Sequence, residues 1–90
     1  MQDQINKLGL PATDKVTGFT GVITSISFDL YGCVQYVITP PVKEGKLDQG
    51  SWFDDNRVEF GLECNRVMTI PDFTKLTMEG GKGCGVKLLP

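Results

Sequence analysis

Three cysteines, two arginines, one adjacent pair of aspartates and a handful of aromatic rings are the groups in this 90-residue chain that could do chemistry. The chain has no histidine. That removes Ser-His and Cys-His nucleophile pairs, histidine metal sites, and any group that titrates near neutrality without help. Cys33, Cys64 and Cys84 are widely spaced, with none of the short intervals of a zinc knuckle. A catalytic thiol needs a basic neighbour to lower its pKa, and none stands beside these three in sequence. Asp54 and Asp55 are consecutive, so on a strand end they point in different directions. A general acid-base pair needs carboxylates that converge on one substrate atom, so the two read as turn formers. Arg57 and Arg66 could each fork a phosphate or carboxylate. For Arg57, ion pairing with Asp54 or Asp55 is the simpler expectation. No catalytic residue, metal ligand or cofactor is assigned, and the chain is read as a non-enzyme.

Aromatic residues are the better candidates for recognition. Tyr31, Tyr36, Trp52 and Phe53 lie in or beside strand-like segments. Alternation puts Trp52 and Phe53 on opposite faces, so one belongs to the core and the other to the surface or an interface. The outward ring either packs against the N-terminal residues or anchors a partner, as aromatics do at binding hot spots. Tyr31, Tyr36, Trp52 and Arg57 are the expected binding residues.

The elements that must position these groups are short strands. Residues 22–28 alternate, with Val22, Thr24, Ile26 and Phe28 on one face and Ile23, Ser25 and Ser27 on the other. Gly18 and Gly21 bracket Phe19 and allow a bend that folds its ring over the end of the domain. Asp29-Leu30-Tyr31-Gly32 reads as a turn with Gly32 left-handed. Residues 33–39 form the hairpin partner, ended by Pro40-Pro41. Residues 42–50 are a polar loop and the candidate mobile element. Residues 51–54 form a short strand. Residues 57–64 form the last clear one, with Val58, Phe60, Leu62 and Cys64 on its buried face. Residues 71–78 fit one or two helical turns or an edge strand. Residues 80–85 are glycine-rich, without the spacing of a phosphate loop. Residues 86–90 are an apolar tail suited to docking. The expected organisation is an N-terminal arm at 1–11, a β-core at 12–64 and a C-terminal extension at 65–90.

Lys15-Val16-Thr17-Gly18-Phe19-Thr20-Gly21-Val22-Ile23-Thr24-Ser25-Ile26 resembles the opening of SH3-like barrels of the KOW and Tudor type. That resemblance implies a five-stranded antiparallel barrel whose loops bind RNA, DNA or protein. A longer resemblance joins residues 14–21, 30–36 and 52–59 to small uncharacterised β-barrel proteins of phages, prophages and other mobile elements. It implies an origin and a barrel, with no activity attached.

Composition bounds the rest. Ninety residues make one small domain with a thin core, for which homo-oligomerisation is an expected way to cover apolar surface. Nine basic and eleven acidic residues give a net charge of −2 and a pI near 4.9. That balance disfavours nucleic acid and anionic membranes as partners. No apolar run approaches a membrane span, and Met1-Gln2-Asp3-Gln4 has neither the basic start nor the apolar run of a secretory signal. A cytoplasmic, reduced protein is expected. With the resemblance, the leading expectation is a non-enzymatic SH3-like all-β binding module of a phage or mobile element that recognises a protein partner or small ligand. Its alternatives are a small-molecule or nucleotide-sequestering protein, a KOW-like nucleic-acid binder, and a virion or assembly component.

Overall fold

The computed structural model describes residues 1–73. Five strands form one antiparallel sheet: β1 (Pro11–Asp14), β2 (Thr20–Phe28), β3 (Val34–Thr39), β4 (Ser51–Asp54) and β5 (Val58–Phe60), in the order β4-β3-β2-β1-β5. Two strands adjacent in sequence, β4 and β5, occupy opposite edges. Only the 3-10 turn Asp55–Arg57 joins them. In a flat sheet the outer strands would stand about 19 Å apart, four spacings of about 4.8 Å. The four peptide steps from Asp54 to Val58 reach at most about 14 Å. The sheet is therefore curled. No hydrogen-bonded pairing joins β4 to β5, so the ladder itself stays open.

Curling wraps one face of the sheet around the core. Ala12, Ile23, Tyr36, Ile38, Phe53 and Val58 are buried there, with Leu8, Phe19, Ile26, Val34 and Phe60 packed against them. Tyr36 and Ile38 are fully buried, and Tyr36 meets Phe60 edge-on at 5.1 Å between centroids. Phe19 does fold inward: its ring lies 5.4 Å from that of Phe53, and Gly18 carries a φ of +80°.

Gly21 serves another purpose. Its φ is not left-handed, but a Cβ there would stand 2.1 Å from the carbonyl oxygen of Thr39. The missing side chain lets the backbone at Thr39 and Pro40, at the end of β3, approach β2 closely.

Two expectations from the sequence are corrected. Strict alternation fails in β2, because a bulge between Ile23 and Ser25 leaves Thr24 without a register partner. Ile23 and Ile26 then pair with Ile38 and Tyr36, so both reach the core face. A bulge adds one residue to one strand and reverses the faces beyond it. The final strand is shorter than residues 57–64, because its ladder partner β1 begins at Pro11. Gly61 N–H makes the last bond of that edge, to the Pro11 carbonyl at 2.8 Å. The chain then turns through the 3-10 segment Glu63–Asn65, leaving Leu62 and Cys64 exposed. Within residues 1–11, α1 (Gln2–Ile5) leads to a buried Leu10, and Pro11 opens β1.

Residues 66–68 hold that N-terminal segment. Arg66 donates to the carbonyls of Leu8 and Asn6, and Val67 N–H donates to Gly9 O at 2.8 Å. The loop between β3 and β4 ends in a two-residue hairpin turn. Glu44 and Gly45 both have positive φ, and Lys43 and Lys46 exchange backbone bonds. The expectations for residues 74–90, including most of 71–78, the glycine-rich 80–85 and the tail at 86–90, lie outside the described residues.

Candidate functional site

The four expected binding residues occupy four different environments. Tyr36 is fully buried in the core, so it is removed from any recognition surface. Burial first, and a hydrogen bond with the Asp55 carboxylate second, raise its phenol pKa above the ordinary value. Tyr36 shares its face with Ile38 and Val34 in the core, and β3 is covered on its other face too, where Val37 is buried.

Arg57 is committed to an ion pair, with Asp14 in place of the expected Asp54 or Asp55. Its Nε donates to Asp14 Oδ1 at 2.9 Å and its Nη2 to Oδ2 at 2.6 Å. The guanidinium also lies over the Phe53 ring at 5.5 Å. Asp14 has no exposed surface and also accepts from the Thr17 backbone and hydroxyl, at 3.0 and 2.5 Å. The guanidinium is the main cause that holds the carboxyl well below the usual range; burial opposes it, and the Thr17 bonds help. Local sequence hides this pair, since its members are 43 residues apart.

Trp52 is half-buried, opposite Val37 in the β3–β4 pair, while neighbouring Phe53 points into the core. The division of labour expected from alternation holds for these two rings.

Tyr31 alone is presented to solvent, and Leu30 beside it was not singled out from the sequence. They are 87% and 92% exposed. The turn beneath them is well tied. Asp29 Oδ1 accepts from Tyr31 N–H and Cys33 N–H, both at 2.9 Å, and Asp29 N–H donates to Cys33 O at 3.1 Å. Gly32 completes the turn at a φ of +88°. An aspartate bonding two residues ahead into a turn is a standard local device. An apolar residue inside a turn-forming quartet was the signal available for Leu30.

Next to this turn lies an open groove of about 340 Å³, lined by Gly32, Cys33, Val34, Asp54, Asp55 and Asn56. Asp54 is oriented by Gln35, whose Nε2 donates to its Oδ1 at 2.8 Å. Cys33 borders the groove as an exposed free thiol. The charge of Asp29 is the main cause that raises its pKa, with burial adding to it. That shift opposes thiolate chemistry. Cys64 is also an exposed free thiol, and Cys84 lies outside the described residues.

Arg66 is spent on main-chain carbonyls, so both arginines of the chain serve the fold. Among the described residues no cluster of three or more Cys, Asp or Glu is placed to hold a metal ion. No helix among them is long and apolar enough to cross a membrane. No family model, no curated protein and no solved structure matches this chain.

Proposed function

We propose that this protein is a non-enzymatic binding module that engages a protein partner through Leu30 and Tyr31 and the groove beside them. The observation that carries this reading is the near-complete exposure of two large side chains on a turn locked by Asp29. Two ordered apolar side chains held out in water have no folding benefit to repay. Partner burial would supply one, and tyrosine is an enriched anchor at protein interfaces.

The sheet order supports an SH3-like barrel as the scaffold, with the 3-10 turn carrying the chain from one edge to the other. The phage or mobile-element origin, the homo-oligomer and the cytoplasmic location rest on the sequence resemblance and composition, and belong to this proposal. Recognition of a phosphate by arginine loses support, because Arg57 and Arg66 are both engaged internally.

Capture of a host protein by the immobilised full chain tests the reading. Leu30→Ala and Tyr31→Ala should each lower capture at least tenfold, while the unfolding free energy changes by less than about 0.5 kcal/mol, as for surface positions. Unchanged capture by both variants would refute it.

A further inference from the structure

Exposed apolar side chains stand at both ends of β3, in opposite electrostatic company. Before the strand comes the Leu30–Tyr31 turn, beside the groove that Asp54 and Asp55 help to line. Among the described residues no basic side chain lines that groove. The field there pushes the Cys33 thiol up, with Asp29 the first cause and Asp54 another. Beyond the strand comes the hairpin turn between β3 and β4. Lys43 and Lys46 exchange both backbone bonds, at 3.1 and 2.9 Å. They are therefore directly opposite, and their side chains project from the same face of the ribbon. Like charges so placed repel, and among the described residues neither lysine is ion-paired. Val42 and Leu47 flank them, 58% and 85% exposed. Glu44 occupies the turn itself.

We infer that a second copy of this chain is a partner of the Leu30–Tyr31 surface, and that it docks there by its Lys43–Lys46 hairpin. The inference rests on the reading of that surface as a binding site. The two lysines meet Asp54 and Asp55, and Leu47 covers Leu30 and Tyr31. Each surface supplies what the other lacks: a pair of cations against carboxylates, and apolar area against apolar area. Geometry decides between cis and trans. β3 and β4 run antiparallel between the two ends, with Gln35 opposite Asp54 and Ile38 opposite Ser51. The five steps from Val34 to Thr39 span about 17 Å. The ladder holds the hairpin beyond its far end, out of reach of its own groove, so the contact joins two copies. The two patches differ, which makes the contact heterologous. A contact of so few side chains belongs to the weak, transient class.

Sedimentation of the reduced full chain at concentrations up to about 1 mM tests this. The average mass should rise with concentration, and rise less as salt screens the charges. The Lys43→Glu, Lys46→Glu variant and, separately, Asp54→Lys should each weaken association at least tenfold, with near-ultraviolet circular dichroism unchanged. An equimolar mixture of the two should recover it, because the intact hairpin of one then meets the intact groove of the other. The hairpin reversal alone decides the matter if Asp54→Lys disturbs the fold. A chain that stays monomeric, association indifferent to the hairpin reversal, or a mixture of two folded variants without recovery would each overturn the inference. The Leu30→Ala, Tyr31→Ala variant separates this claim from the one beneath it. Association lost in that variant but kept in the hairpin reversal would uphold the surface and refute its occupant.

Discussion

At Asp14 four donor groups converge on one buried carboxylate: Arg57 Nε and Nη2, and the Thr17 backbone and hydroxyl. The carboxyl's pKa is lower in the folded protein than in the unfolded chain, where it sits at about 3.9. Folding then favours the ionised form, and its contribution is whole at neutral pH. It begins to fail as the pH drops toward about 4, and it is gone once the pH lies below the depressed folded value. Urea midpoints measured from pH 7 to pH 2 should fall across that range. Asp14→Asn should flatten the acid limb while lowering the midpoint at pH 7, because Arg57 loses its partner. A full acid limb in Asp14→Asn would show that other carboxylates set the acid sensitivity. The same guanidinium lies over Phe53, whose ring in turn meets Phe19 at a tilt, so the pair braces the aromatic end of the core as well as the turn at residues 15–19.

Among the strands, two glycines separate conformational from steric demands. Gly32 sits at a φ of +88° with nothing near its would-be Cβ, whereas Gly21 has an ordinary φ and a carbonyl oxygen 2.1 Å from that position. Gly32→Ala should therefore cost about 1 kcal/mol through left-handed strain alone. Gly21→Ala should cost about 3 kcal/mol or more, because backbone must move. Equilibrium unfolding of the two variants checks the order, and equal costs would contradict the close backbone approach at Gly21. The left-handed Gly32 was legible in sequence because a turn quartet announces it; the role of Gly21 was not, because Thr39 lies 18 positions away. The same division runs through the sheet. Strands β2, β3 and β4 were legible from alternation. β1 was not, since Pro11-Ala12-Thr13-Asp14 carries no strand pattern and is held by ladders on both sides. The bulge was also hidden, because period two has no mark for an inserted residue. Of the expected binding residues only Tyr31 stands clear in solvent. Burial of Tyr36 and the partner of Arg57 are tertiary facts, set by elements far along the chain.

Across the whole molecule, the two ends of the described chain are fastened to each other. Arg66 and Val67 bond to Asn6, Leu8 and Gly9, and Gly9 N–H in turn bonds to Ile23 O at 2.9 Å in β2. Arg66→Ala should speed amide hydrogen exchange at Gly9 and Val67 at least tenfold while leaving Tyr36 and Ile38 protected. Loss of protection throughout would mean that the clamp and the core open as one unit. A second consequence concerns synthesis. The first strand, β1, is flanked by β2 and by β5, the last strand among the described residues, and its buried acid waits for an arginine 43 positions later. While the chain emerges from the ribosome, β1 therefore has one unsatisfied edge and Asp14 has no counter-charge until residues 57–60 are free. Folding in this order is late and non-local, a topology associated with rates in roughly the millisecond-to-second range. During that interval β1 presents an unpaired flank to solvent.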